Sequence, residues 1–221
     1  MDKTAPLVLA SASPRRKELL ARLVPQFEVE VSGVDEDWVE GPPEEVALTL
    51  ALHKAEAVAA QRMAGWVLGA DTVIDLDGRL LAKPADPADA VRMLSELSGR
   101  THRVWTAVAL LEAASRRSPV LGAVATAVRL RPLSPSEVVA YVESGEPMDK
   151  AGAYAIQGRG ADLVAEVEGC YNNVVGLPLC EVRRLLEEAG QGWRLTACGC
   201  LDPDGLPCPR SSPWSVREAA G

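Results

Sequence analysis

Only two histidines, His53 and His102, occur in the 221 residues of this chain. A Ser-His-Asp hydrolase or an imidazole-built zinc site has little to be made from. The five cysteines are odd in number, and three of them, Cys198, Cys200 and Cys208, crowd toward the C-terminus. That pattern fits a reducing compartment better than a disulfide framework. Basic surplus is missing too: the formal net charge is −8, which excludes a protein that coats nucleic acid and makes any polyanion site a local one. No window approaches the ~18–20 uninterrupted apolar residues of a membrane span, and no charged start precedes an apolar signal core. The expectation is a cytoplasmic protein with no membrane partner and no stable nucleic-acid partner. There is no repeat at a solenoid period. What is present is 48% hydrophobic and 24% charged residues, the balance of a globular chain able to bury a sizeable core.

Along the chain, residues 7–10 (LVLA) read as a buried strand and 17–23 as a helix with Leu19, Leu20 and Leu23 on one face. Residues 27–33 alternate as a half-wet strand, and 42–63 form a long helix with proline and two glutamates in its first turn. Residues 66–84 give a strand, a Gly-Ala-Asp junction and a hairpin closed by Asp77-Gly78. Asp86-Pro87 caps the next helix and Gly99 ends it. Strands over 103–111 and 120–131 should pair antiparallel, and Ser134-Pro135-Ser136-Glu137 is a capping box opening a further helix. Residues 149–179 read as loops and strands around a site, and 180–189 as a last helix. The expected architecture is α/β, a mixed sheet with flanking helices. Residues 1–192 form the domain, and 193–221 a Gly, Pro and Cys rich tail.

The candidate chemistry lies in carboxylates, lysines and arginines, the set used for metal-assisted reactions at phosphate. Ser11, Ser13, Arg15 and Arg16 stand at a strand-to-helix junction. A helix N-terminus with arginines traps anions, although for the hexapeptide taken alone a capped helix with solvated arginines is the favoured reading. Asp71, in Gly69-Ala70-Asp71-Thr72, is expected where a strand runs out into a turn. It is either a presented catalytic acid or a turn aspartate bonded to its own backbone. Lys83, Asp149 and Lys150 could each be surface charge, and Glu36 sits in the acidic run 35–37. Cys198, Cys200 and Cys208 lack a fourth ligand for a soft metal and are taken as unligated.

Together these residues resemble a known family. LVLASASPRRKELL at 7–20, GADTVI at 69–74, KP at 83–84, LSGRTHRVWTAVAL at 97–110, GEPMDKAGAYAIQGRGA at 145–161 and NVVGLPL at 173–179 follow, in unbroken order, the pattern of the Maf nucleoside triphosphate pyrophosphatases. The resemblance implies hydrolysis between the α and β phosphates with a divalent cation, Mg²⁺ or Mn²⁺. It further implies two lobes around a cleft, similar to the inosine triphosphatase fold, and a homodimer. By the same resemblance Asp71 is the general base or metal-bound acid, Glu36 an acid near the metal, and Ser11, Arg15, Arg16, Lys54 and Lys83 the phosphate-binding positions. Asp149 and Lys150 belong to the second signature. Arg15, Thr72 and Gln157 match the subgroup acting on dTTP and UTP, where a glutamine amide suits the O4 and N3–H edge of uracil or thymine, and modified uridine triphosphates are implied as further substrates. Two alternatives stand beside this reading: the same reaction on 7-methyl-GTP or another nucleotide, and a non-catalytic nucleotide-binding regulator of septation.

Overall fold

The computed structural model describes residues 5–34 and 40–196. Strand β1 (Leu7–Ala10) is buried throughout and passes through a three-residue turn into helix α1 (Pro14–Leu23). Ser13 caps that helix by accepting the Arg16 N–H, and Pro14 occupies the first turn, where its missing donor costs nothing. Leu19, Leu20 and Leu23 are the buried face, as their spacing predicts. Strand β2 (Glu28–Glu30) lies parallel to β1 and is shorter than the alternating pattern suggests. Helix α2 (Pro43–Ala59) starts with Glu44 and Glu45 at its positive end.

Strand β3 (Trp66–Leu76) turns at Asp77-Gly78 into β4 (Arg79–Leu81), the expected hairpin, with both turn residues at positive φ. Helix α3 (Pro87–Leu97) is capped by Asp86. The long pair β5 (Thr101–Glu112) and β6 (Val120–Leu130) is antiparallel. Helix α4 (Pro135–Glu143) opens with the full Ser134/Glu137 capping box. Three 3₁₀ turns, Glu146–Asp149, Ala151–Ala153 and Gly158–Leu163, lead to β7 (Val164–Glu168), α5 (Tyr171–Val175) and α6 (Leu179–Ala189).

Among the described residues the seven strands make one mixed sheet in the order β2-β1-β3-β5-β6-β7, with β4 on the outer part of β3. Pairing is parallel for β1 with both neighbours and antiparallel elsewhere. Helices α1 and α6 cover one face at the β1 end, where Leu9, Leu20, Leu68 and Leu185 share a core, and α2 covers the other face through Ala47, Ala51 and Ala55. A separate core of Ile74, Leu94, Leu97 and Tyr141 packs α3 and α4 at the far end of β3. The chain is thus bilobed about β3, and Asp71 and Thr72 stand between the lobes. Beyond α6, Trp193 meets Trp66 edge-on at 5.9 Å and donates its Nε1–H to the Ala5 carbonyl. Cys198, Cys200 and Cys208 lie outside the described residues.

His102, on β5, is buried with its Nε2 2.6 Å from the Tyr154 hydroxyl. Its Nδ1 meets no hydrogen-bond partner among the described residues. Burial pushes its pKa down from 6.5 to about 4. Because the unfolded chain then binds the extra proton, stability is complete above pH 6.5 and falls as the pH drops toward 4. We expect this one group to cost about 3 kcal/mol across that window. Urea unfolding of the parent and of His102→Gln at pH 7 and pH 4.5 should show a shallower pH slope in the variant.

Candidate active site

The site forms where β1 stops. Ala10 pairs with Gly69, and β4 does not begin to pair until Ile74. Residues 70–73 therefore have β5 on one side and no strand on the other, among the described residues. The expectation that Asp71 marks the end of its own strand is corrected here: β3 runs on without interruption, and it is the neighbouring strand that ends. The consequence for Asp71 is the same opening beside it, on a more rigid support.

Into that opening faces a cleft of about 550 Å³ lined by Ser11, Arg15, Arg16, Lys54, Asp71, Thr72, Lys83, Asp149, Lys150 and Gln157. Every site residue named from the sequence is in that wall except Glu36, which lies outside the described residues. The residues come from the α1 start, α2, β3, the segment after β4 and the turns after α4, so chain-distant segments converge on one place.

At the base of the cleft the Lys54 ammonium is 2.5 Å from Asp71 Oδ1, both side chains nearly inaccessible. Gly69 makes that contact geometrically feasible. A Cβ there would stand 2.2 Å from the Ala51 carbonyl and 2.9 Å from the Ala55 Cβ, so α2 lies directly against the β3 backbone. Lys54 is thereby carried within reach of the carboxylate two residues along the strand.

Arg16 braces the opposite wall. Its Nε donates to the Gly176 carbonyl at 2.9 Å, at the end of α5, and its Nη2 donates to Thr72 Oγ1 at 3.1 Å. Thr72 Oγ1 is 2.9 Å from Thr106 Oγ1, and Thr106 donates to the Asn173 carbonyl at 2.8 Å. Each hydroxyl has one proton. Since Thr106 spends its proton on Asn173, Thr72 must donate to Thr106, and toward the cleft Thr72 presents only a lone pair. Thr106 and Asn173 escape a reading of the sequence alone, because their partners are backbone carbonyls and hydroxyls brought close only by the fold.

On the mouth side, Lys150 donates to Asp149 Oδ1 and to the Glu146 carbonyl. The Lys150 hydrogen bond holds Asp149 below its ordinary range, and the nearby Arg15 charge adds to that effect. The wall is therefore mostly cationic and hydroxyl-bearing around one deep carboxylate, an arrangement suited to a phosphate chain whose charge is partly shared with a cation. No group of three or more His, Cys, Asp or Glu able to hold a metal occurs among the described residues. No described helix is long and apolar enough to cross a membrane.

A mixed sheet with a cationic cleft and a buried acid beside the end of a neighbouring parallel strand defines a class of phosphate-handling α/β protein. The comparisons name the family within it. A family model described as Maf-like protein matches residues 6–189. The dTTP/UTP pyrophosphatase of Moorella thermoacetica is 56% identical over 181 residues, covering 81% of this chain and 93% of that protein. Those of Geobacter metallireducens and Myxococcus xanthus are 49% and 53% identical, covering 86% and 83% of this chain and 99% and 92% of their own. Among solved structures, the Staphylococcus aureus Ham1 protein aligns with a TM-score of 0.45 at 15% identity, over 84% of this chain and 96% of that one. This chain belongs to the Maf family.

Gly69→Ala should push α2 off β3 and separate Lys54 from Asp71. A loss of about 1–3 kcal/mol in urea unfolding is expected from the overpacking alone, together with a fall in activity larger than that of a surface alanine control.

Proposed function

We propose that this protein is a nucleoside triphosphate pyrophosphatase that hydrolyses dTTP and UTP to the monophosphate and pyrophosphate. The observation that carries the reading is the cleft in which Asp71 lies among Ser11, Arg15, Arg16, Lys54 and Lys83, in a chain about half identical to dTTP/UTP pyrophosphatases over most of its length. Cleavage at the α phosphate builds negative charge on the departing pyrophosphate, and preplaced Arg and Lys side chains stabilise it as it develops. Helix α1 adds its positive end at Ser13, next to Ser11.

Lys54 occupies Asp71 Oδ1, and no described residue donates to Oδ2. Asp71 therefore has one oxygen for a hydrolytic water or for a cation. The donor set suits Mg²⁺ or Mn²⁺, hard cations that bind through one or two carboxylates and complete their shell with substrate oxygens and water. Asp71 would hold such an ion, with Glu36 as the acid the family pattern adds. When bound, the cation supplies charge neutralisation at the phosphates and a more acidic water.

Base choice rests on Thr72 and Gln157. The lone pair that Thr72 turns to the cleft matches the N3–H of uracil and thymine, whereas cytosine offers an acceptor at that atom. With N3–H accepted by Thr72, the Gln157 amide N–H is left to donate to O4. Modified uridine triphosphates keep that edge and are substrates on the same logic. The homodimer implied by the family resemblance is carried with this proposal.

Pyrophosphate release should be measured from dTTP, UTP, CTP, 7-methyl-GTP and ITP with Mg²⁺ or Mn²⁺. Turnover is expected on dTTP and UTP, falling by at least about 100-fold in Asp71→Asn and abolished by EDTA. A folded protein that binds nucleotide but releases no pyrophosphate would return the non-catalytic regulator as the better reading.

A further inference from the structure

The residue that would read the base, Gln157, precedes the 3₁₀ turn Gly158–Leu163 and occupies its N-cap position. Helical turns begin with backbone N–H groups that lack partners, and an N-cap side chain usually accepts them. Gln157 makes no such capping bond. The cap comes instead from Glu146, eleven positions earlier in the chain. Glu146 Oε2 accepts the Arg159 N–H at 3.2 Å, and Oε1 accepts the Gly160 N–H at 3.1 Å.

The brace has a second strut. Tyr141, at the end of α4, donates its hydroxyl to Glu146 Oε1 at 3.0 Å and accepts the Ala155 N–H at 3.3 Å. Backbone on both sides of Gln157 is therefore tied to one carboxylate and one phenol. Gly158, at φ +68°, lets the chain turn over the carboxylate, where a Cβ would stand 3.1 Å from both oxygens. Burial alone would raise the Glu146 pKa, yet it lies below its ordinary range because the Gly160 and Arg159 N–H groups, the Tyr141 hydroxyl and the Lys150 charge together outweigh it. The carboxylate stays ionised at neutral pH and remains a full acceptor.

We propose that Glu146 is a positioning residue for base selection: by capping the 158–163 turn in place of Gln157, it leaves the Gln157 amide for the nucleobase and fixes its height in the cleft wall. The proposal rests on the reading of Gln157 as the base-recognising residue. Glu146 touches neither phosphate nor reacting atoms in this scheme, so its removal acts on substrate choice more than on the chemical step.

The test is steady-state kinetics on UTP and CTP for the full chain and for Glu146→Ala, Gln157→Ala and the double variant. Glu146→Ala is expected to raise KM for UTP about tenfold while kcat stays within about threefold, and to erode the preference for UTP over CTP. The double variant should be no worse than Gln157→Ala alone, because both losses run through one amide. Multiplying losses would overturn the proposal, as would an unchanged UTP preference in Glu146→Ala beside a lost one in Gln157→Ala. If Gln157→Ala itself keeps the preference, the base-reading role fails, and this proposal with it. Should the alanine variant not fold, Glu146→Gln keeps one acceptor oxygen and carries the same comparison with smaller shifts expected.

Discussion

Everything in this protein's site depends on how closely α2 approaches β3. A helix axis usually sits well above a sheet because side chains fill the space between them. At Gly69, and at Ala51 and Ala55 facing it, that filling is reduced to almost nothing. The close contact brings an ammonium and a carboxylate together at 2.5 Å in a place with little access to water. Breaking a buried pair by removing one partner typically costs about 3–5 kcal/mol, so Lys54 and Asp71 hold each other in place and their geometry is part of the core. The apolar packing of small residues and the polar chemistry of the cleft are two results of one distance.

The same economy governs the other wall. Arg16 joins α1, β3 and the end of α5 with two donated bonds, and the hydroxyls of Thr72 and Thr106 pass the pattern on to Asn173. Because donors and acceptors can be counted through the chain, the polarity of Thr72 follows from residues that never meet a substrate. On the proposed reading of Thr72 as a base-reading residue, base selection would be set partly by the interior of the sheet.

What the sequence disclosed follows the range of each interaction. The Ser13-Pro14 start of α1, the Asp77-Gly78 hairpin and the Ser134/Glu137 capping box are satisfied within four residues, so their signals sit in adjacent letters. Gly69 is the instructive failure. A glycine before an aspartate reads as a strand end, whereas its function is to admit a neighbouring helix while the strand continues through Leu76. The individual charges were ambiguous one at a time, and only their order along the chain, matched to a family pattern, brought Ser11, Lys54, Asp71 and Lys83 into one site. Thr106, Asn173 and Glu146 carry no local mark, since each serves backbone groups between thirteen and sixty-nine residues away.

The bond from Trp193 to the Ala5 carbonyl, with Trp193 against Trp66, places the first and last described stretches of the folded domain side by side. A domain whose first and last described stretches meet is nearly a ring. In such a topology the order in which the segments are linked is separable from the way they pack: a short bridge between residues 5 and 193, with a new opening in the 113–119 connection between β5 and β6, would preserve every strand pairing and leave the cleft on the far side of the cut. The domain is thereby suited to circular permutation, and to carrying other segments at its ends without disturbing the substrate's approach.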